Sequence, residues 1–360
     1  MRTLSRYLGR ELIGATLIIF LALTMLFAFF DLINELDDVG KGNYGIVQAV
    51  LFVVLQLPSR AYELLPVSAL IGTLFAISNL VGNSEYTVMR ASGASVLQVV
   101  WAVLRVGIPL AVATFLAGEF ISPPAERLAQ TLRASAKGDV SSVVAQQFDS
   151  GFWFKQDSTF VNVRSVLADL SLSRVRIYDF DADFRLTRVR SAESGRFIGP
   201  GRWRLFDVTT TVLAGDTARE SRTAEADWDT VLRPSILTVY QVAPERLELD
   251  TLYDNIKLLS GNAQKTSRFE IAFWSKIFYP GAVLVMMILA LPFAQFQRRQ
   301  GGMGVRIFTG TMLGLAFFLI GRLFSNLGVI NDWPPLFSAI SPLIAFSALA
   351  AALLWWIERR

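Results

Sequence analysis

Three basic residues lie inside long apolar segments of the sequence: Arg105, Lys276 and Arg322. Ionisable side chains in such segments are costly and commonly mark a binding site or an ion path. Two interpretations stay open for Lys276 and Arg322, which fall near the ends of their segments. Their long side chains either extend to lipid headgroups or form a cationic rim that binds anionic headgroups. Arg105 lies deeper, where we expect a structural pairing.

The composition excludes the commonest forms of enzyme chemistry. The chain has no His and no Cys, which excludes Ser-His-Asp triads, imidazole catalysis, zinc sites built on His or Cys, and disulfides. The glycine-rich residues 40–45, GKGNYG, lack the spacing of a phosphate-binding P-loop, and we expect a flexible loop there. We therefore predict a non-catalytic chain without cofactor or metal, and any ATP hydrolysis must come from another polypeptide.

A short polar segment, GNSEYTVMRASGA at residues 82–94, separates two apolar runs. Asn83 or Ser84 can cap a helix, Glu85 then lies in its first turn, and Gly93 can end it in a left-handed conformation. The pattern predicts a helix of about two turns, too short to be stable alone in water. A solvated turn remains the alternative.

The long apolar segments that carry these residues are typical of membrane helices. Hydrophobic residues make up 53% of the 360 and charged residues only 18%, and several apolar runs reach the roughly 20 residues that cross a bilayer. Arginine clusters at alternate ends place both termini and residues 82–94 in the cytoplasm by the positive-inside rule. Six spans are predicted, at residues 12–33, 46–81, 95–121, 269–294, 305–327 and 336–357.

Prolines modify two of these spans. We expect the second span to be one long helix kinked at Pro58 and Pro66, and the third to end at the SPP of residues 122–124.

In the fifth span, Gly310 and Gly314 form a GxxxG pattern that permits close helix contact.

The one large polar region has a different periodicity. Segments such as STFVNVRSV at residues 158–166 and RWRLFDVTTTVL at 202–213 alternate polar with apolar residues, and glycine-containing turns separate them. This predicts an all-β sandwich, jelly roll or partial barrel outside the cytoplasmic membrane, followed by a helix near residues 249–259. We accordingly divide the chain into spans one to three (1–124), a β domain (125–267) and spans four to six (268–360).

Three motifs carry a resemblance to a known family. They are SEYTVMRASG at residues 84–93, WSKIFYP at 274–280 and MGVRIFTG at 303–310. Together with six spans and a β domain after the third, they resemble the inner-membrane permeases of lipopolysaccharide export, the LptF/LptG family, and the G-type branch more than the F-type. No single motif is specific, but the combination is.

The resemblance implies a function and a set of partners. One permease of each type pairs around a cavity above a cytoplasmic ABC ATPase dimer, takes lipopolysaccharide from the outer leaflet of the inner membrane, and passes it to a periplasmic bridge of β jelly rolls. The chain is then a multi-pass inner-membrane protein with cytoplasmic termini and a periplasmic jelly-roll-like domain. Residues 84–92 correspond to the family's coupling helix, so Glu85, Tyr86 and Met89 are implied to dock the ATPase, with Glu85 pairing with a cation.

The first span departs from the G-type pattern. G-type relatives can carry several lysines near its outer end for lipid A phosphates, whereas this chain has Asp31, Asp37 and Asp38 there with only Lys41. Headgroup binding is therefore assigned to four cations across the chain: Lys41, Arg133, Lys276 and Arg322.

Two other functions remain open at this point. A mechanotransmission or lipoprotein-releasing ABC permease usually places its large domain after the first span, which disfavours it here. A membrane-anchored scaffold or receptor would need no ATPase partner.

Overall fold

The structure, a computed structural model, describes residues 2–93, 95–137, 152–166, 171–181, 183–199, 201–214, 217–230, 232, 243–261, 265–296 and 303–359. Within these ranges, six helical segments are long and apolar enough to cross a membrane. They are α1 (Arg2–Leu36), α2 (Ile46–Gly82), α4 (Val96–Leu116) with its continuation, α7 (Ser267–Phe296), α8 (Met303–Ile330) and α9 (Pro335–Glu358). The predicted class, six spans with a β domain inserted after the third, is confirmed.

Helix α2 is the centre of the bundle. It is a continuous helix of 37 residues that includes Pro58 and Pro66, as predicted. In its most apolar stretch 78% of the residues are buried, against 11 to 50% in the other five spans. The other helices therefore pack around α2, and its contacts with α1, α7 and α8 form the core.

Glycines let two helices approach α2 closely. A side chain at Gly314 of α8 would lie 2.7 Å from Val67, and one at Gly310 would lie 2.9 Å from Ile71. The close helix contact expected from this GxxxG pattern is thus present, and it is made within the chain. Gly72 of α2 touches the backbone of Thr16 of α1 in the same way.

The third span is longer than the sequence analysis expected. After α4, a π-helical turn at Ala117–Ile121 leads directly into α5 (Ser122–Lys137). The expected end at residues 122–124 is wrong, because Pro123 and Pro124 lie just after the π turn, where the backbone is already out of α-helical register and their missing N–H groups cost little. The helix therefore continues past the predicted end of the third span, as far as Lys137.

Six antiparallel strands form the inserted domain. They are β1 (Phe152–Gln156), β2 (Thr159–Val166), β3 (Leu172–Phe180), β4 (Leu186–Gly199), β5 (Arg202–Ala214) and β6 (Thr217–Asp229). The strands pair in chain order, so the described part of the domain is a meander joined by short turns. One face carries a core that includes Val161, Ile177, Trp203 and Leu205, as the alternating pattern predicts.

A single turn of 3₁₀ helix (Pro244–Arg246) and α6 (Leu249–Gly261) connect the sheet to α7. Leu258 of α6 packs against the core of the sheet. Leu252 and Leu259 pack with Phe269 at the start of α7. Helix α6, expected from the sequence, therefore contacts both parts of the molecule.

Candidate functional site: a short docking helix and a charged cavity

The polar segment after α2 forms a short helix, α3 (Glu85–Ala91). Glu85 is in its first turn, and Gly93 follows it with a φ of +92°, as predicted. The predicted side-chain cap is absent: Ser84 has a φ of +62° and its hydroxyl makes no capping bond. Only two residues separate α2 from α3, and Ser84 turns the chain between the two helices through its left-handed conformation. The Ser84 carbonyl still begins α3, because it accepts a hydrogen bond from the N–H of Val88 at 3.0 Å.

Two side-chain hydrogen bonds hold α3 against the membrane helices. The Tyr7 hydroxyl of α1 donates to Oε2 of Glu85 at 3.1 Å, and Nε2 of Gln295 in α7 donates to the Tyr86 hydroxyl at 3.0 Å. Tyr86 is only 8% exposed, and burial raises the pKa of its phenol. The assignment of Tyr86 to the docking surface is therefore corrected: its side chain anchors α3 inside the bundle.

The outward face of α3 carries the residues that remain for a partner. Glu85 and Met89 are partly exposed, and Val88 is 66% exposed. These positions, three and four residues apart, share one face of a helix. Sequence reasoning missed Val88, although its spacing from Glu85 could have identified it.

Two of the four predicted headgroup cations are paired with acids near the end of α1. Lys41 lies 2.5 Å from Asp38. Arg133 of α5 contacts Asp38 at 2.5 Å and Glu35 at 3.1 Å. Asp38, one of the three acids that make the first span unlike its G-type relatives, therefore binds both cations within the chain, and Glu35 adds a second contact to Arg133, which lowers the positive charge left for a headgroup.

Tyr44 completes this cluster. Its hydroxyl donates to Oε1 of Glu35 at 2.8 Å, and its side chain is buried. Burial and the bond to Glu35 raise the pKa of the phenol, so it stays a neutral donor.

Lys276 neither extends toward headgroups nor belongs to an open rim. Its side chain is 4% exposed, its ammonium lies 2.8 Å from Oε2 of Glu119, and it donates to the Leu247 carbonyl at 2.5 Å. Both open interpretations of Lys276 are therefore corrected, because its tertiary partners satisfy the charge inside the protein.

Arg322, unlike Lys276, is exposed. Its guanidinium lies over the Phe318 ring, 4.5 Å from the centroid. In the part of the chain that the structure describes, no acid pairs with it. Of the four predicted cations, Arg322 is the one that keeps its charge available.

Arg322 lines a cavity of about 490 Å³ between α2, α7, α8 and α9. Aromatic side chains form much of the wall, among them Tyr62, Tyr279, Phe317 and Phe318, and Ser325 and Asn326 add hydrogen-bonding groups beside the arginine. Cavities of this size commonly bind small molecules or parts of larger ones. Chemically, this one suits an apolar group with an anionic end.

A network of charges surrounds the cavity at its sheet end. Arg60 of α2 binds Asp31 of α1 through two bonds of 2.7 Å and Glu63 at 3.1 Å. Arg246, which follows the sheet, binds Glu126 of α5 at 2.9 Å and lies 3.9 Å from Glu63. Bidentate and partly buried charge pairs of this kind are directional, so they fix α1, α2, α5 and the connection relative to one another.

Comparison with known proteins decides the family. The family model described as "Lipopolysaccharide export system permease LptF/LptG" matches residues 6–356. The chain belongs to the LptF/LptG family. The resemblance carried by residues 84–93, 274–280 and 303–310 is thereby confirmed.

Individual members of the LptF/LptG family match over their full length. The chain is 32% identical to "Lipopolysaccharide export system permease protein LptG" of Haemophilus influenzae over 363 residues, which cover 100% of this chain and 99% of that protein. It is also 32% identical to the Escherichia coli K12 protein of the same name over 359 residues, covering 99% and 98%. Both carry the G-type name, in agreement with the branch expected from the motifs.

Proposed function

We propose that this protein is the permease subunit of an ATP-driven lipopolysaccharide exporter. It takes lipopolysaccharide from the outer leaflet of the inner membrane and passes it to a periplasmic bridge of β jelly rolls. The family match over residues 6–356, with relatives named as LptG along the whole chain, carries the proposal. The inserted sheet after the third span supports it, since a large domain after the first span is the usual pattern of mechanotransmission permeases.

The energetics explain why such a protein needs partners. Burial of an acyl chain in the bilayer is worth about 0.8 kcal/mol per CH₂, so a twelve-carbon chain costs roughly 10 kcal/mol to extract. A lipid with several chains needs an apolar space to enter and an external source of energy. The aromatic cavity supplies part of the former, and a separate ATPase supplies the latter.

The topology follows from the loops. The arginines in the loops on the α3 side, by the positive-inside rule, support our proposal that both termini and α3 are cytoplasmic and the sheet periplasmic. A cytoplasmic ABC ATPase dimer docks on α3 through Glu85, Met89 and Val88. The exposed apolar sides of α1 and α8, with Met25 at 71% and Phe308 at 64% exposure, are available to lipid and to a sibling F-type permease.

Within this function, Arg322 is the headgroup residue. Lys41, Arg133 and Lys276 are engaged by Asp38, Glu35 and Glu119, whereas Arg322 stands at the cavity beside Ser325 and Asn326. Anionic phosphate on the lipid would meet the guanidinium while the acyl chains meet the phenyl rings.

Lipid retention tests this role of the cavity. The complex with the ATPase and the sibling permease is purified from cells that make lipopolysaccharide, and the bound lipid is quantified by mass spectrometry. Arg322→Gln is expected to lower the retained lipopolysaccharide several-fold, since a charge-assisted bond to phosphate contributes about 1.5 to 3 kcal/mol. The control Arg222→Gln changes an arginine on β6 that is 73% exposed, and we expect it to retain lipid normally. Absence of lipopolysaccharide from the wild-type complex would contradict the function; equal retention in all three proteins would remove Arg322 from the site.

A further inference from the structure

The chain that returns from the sheet to the membrane, residues 243–248, is called the return linker here. Four contacts bind it and the start of α6 to the bundle. Lys276 of α7 donates to the Leu247 carbonyl at 2.5 Å, and the N–H of Leu249 donates to Glu119 of the π turn at 3.0 Å. Two ion pairs to α5 add to them, Arg246 with Glu126 at 2.9 Å and Arg127 with Glu248 at 2.6 Å. The linker is thus attached to three separate parts of the bundle.

Three charged groups of this attachment are largely buried, whereas Arg246, Arg127 and Glu248 are partly exposed. Glu126 has 1% of its side chain exposed, Lys276 has 4% and Glu119 has 12%. A buried ion pair contributes little net stability compared with apolar residues of similar size, because desolvation offsets the attraction. The pair does orient its neighbours. Because Lys276 lies between the Glu119 carboxylate and the Leu247 carbonyl, it fixes the position of that carbonyl. The pair therefore keeps the return linker in one position, whereas apolar packing alone would allow several positions.

The linker also touches the cavity. Ala243, Glu245 and Arg246 form part of the cavity wall, together with Lys276 and Arg322. A group bound in the cavity therefore contacts the chain segment that leads to the sheet.

Helix α6 connects the return linker to the sheet. It begins at Leu249, immediately after the attachment to Glu119, and its Leu258 reaches the core of the sheet. Helices transmit displacement because their backbone hydrogen bonds keep them rigid along their length. The contacts therefore run without a break from the cavity through the linker and α6 to the sheet.

We infer that Lys276 and Glu119 are positioning residues, which hold the return linker and α6 so that the sheet receives lipid from the cavity. The inference rests on the proposed function and deepens it by naming the element that connects extraction to transfer. It also gives Lys276 a role in place of the headgroup binding that its sequence position suggested.

Removing both charges separates a positioning role from a merely structural one. Lys276→Met and Glu119→Gln each leave one buried charge without its partner and should lower the melting temperature of the permease complex. The double variant K276M/E119Q leaves no unpaired charge, and the amide oxygen of Gln still accepts from Leu249, so the melting temperature should return toward the wild-type value. The Leu247 carbonyl, however, loses its donor.

Transfer is measured in proteoliposomes that contain the complex with its ATPase, as lipopolysaccharide crosslinked to a purified jelly-roll bridge protein. We expect the double variant to hydrolyse ATP normally but to transfer about tenfold less of the lipid that it retains, within the range of couplings carried between distant sites. Transfer that recovers together with stability would overturn the inference, as would unchanged transfer in all variants. As a matched control, K265M/D332N removes an exposed pair, 78% and 57% exposed, and should leave transfer unaffected.

A second readout requires no lipid and so stands apart from the proposed function. Because the chain has no native Cys, spin labels attach only at introduced sites, Ser221→Cys on β6 and Asn331→Cys after α8. The distance distribution between them should broaden in K276M/E119Q. An unchanged distribution would overturn the positioning role even if the wild-type complex transports lipopolysaccharide, whereas a wild-type complex that moves no lipid would refute the function and leave this readout intact.

Discussion

The hydroxyl of Tyr7, near the start of the first span, donates to the carboxylate of Glu85 on the short helix α3 across 3.1 Å. The two residues are 78 positions apart in the chain. On the other side of α3, Gln295 binds the buried Tyr86. A force applied to α3 by an ATPase would thus reach α1 and α7 through separate bonds.

The first prediction concerns the charge of Glu85. Glu85→Arg should lower the affinity of the permease pair for the ATPase, because loss of one partner of a close charge pair commonly costs about 2 to 5 kcal/mol. The affinity is measured by titrating labelled ATPase onto permeases in nanodiscs. Thr87→Arg, an exposed change on the same helix, serves as the control for added positive charge. Equal affinity of the Glu85→Arg variant and the wild type would remove Glu85 from the interface.

The second prediction concerns Tyr7. Tyr7→Phe removes the hydroxyl and keeps the ring, so α3 should stay folded while its attachment to α1 weakens. A hydrogen bond to a charged group contributes about 1.5 to 3 kcal/mol, but this one lies within the permease. We therefore expect ATPase affinity to stay within a few-fold of the wild-type value and transport per ATP hydrolysed to fall. Tyr253→Phe, a 59% exposed tyrosine on α6, is the control. A ratio of transport to hydrolysis equal to the wild-type ratio would contradict a coupling role for this bond.

The third prediction concerns the contact between α8 and α2. Gly314→Val should destabilise the protein by about 1 to 3 kcal/mol, because the added carbon would lie 2.7 Å from Val67 in a packed interface. Gly321→Ala on the same helix has no atom within 4 Å of the added carbon and should keep the wild-type melting temperature. Thermal unfolding in detergent, followed by intrinsic fluorescence, compares the two. Similar melting temperatures for both variants would show that α8 does not pack on α2 this way.

The fourth prediction concerns the core of the sheet. Trp203 is fully buried and its indole N–H donates to the Leu232 carbonyl at 2.7 Å. Trp203→Phe leaves that carbonyl unsatisfied and a small void, which should destabilise the sheet by about 2 to 4 kcal/mol. Trp153→Phe changes a tryptophan that is 49% exposed and should cost less than about 1 kcal/mol. Protease resistance of the sheet in the full-length protein distinguishes the two, and equal resistance would refute the assignment of Trp203 to the core.

The sequence predicted the large elements well because their signals are local. Apolar runs long enough to cross a bilayer indicated the six spans, and alternation of polar and apolar residues indicated the sheet. The end of the third span was predicted wrongly because Pro123 and Pro124 usually stop a helix, and nothing in their spacing indicates the π turn that precedes them.

The individual site residues depended on distant partners, which spacing cannot reveal. Lys276 pairs with Glu119, which lies more than 150 positions earlier in the chain. This pair is buried, although we expected Lys276 to lie near lipid headgroups. Tyr86 was predicted to dock a partner, yet its side chain is buried and its hydroxyl accepts from Gln295. Residue types and helix periodicity identified α3 and Arg322. Tertiary contacts determine which of the other predicted site residues remain free to bind a ligand or a partner.

Transport by the reconstituted complex shows whether this protein exports lipopolysaccharide. The protein, a sibling F-type permease and a cytoplasmic ABC ATPase are placed in proteoliposomes with lipopolysaccharide, and its arrival on a jelly-roll bridge protein is followed with and without ATP. We expect the arrival of lipopolysaccharide to require ATP and both permeases, and to fall with Arg322→Gln but not with Arg222→Gln. Arrival at the same rate without ATP, or none with all components present, would contradict the proposed function.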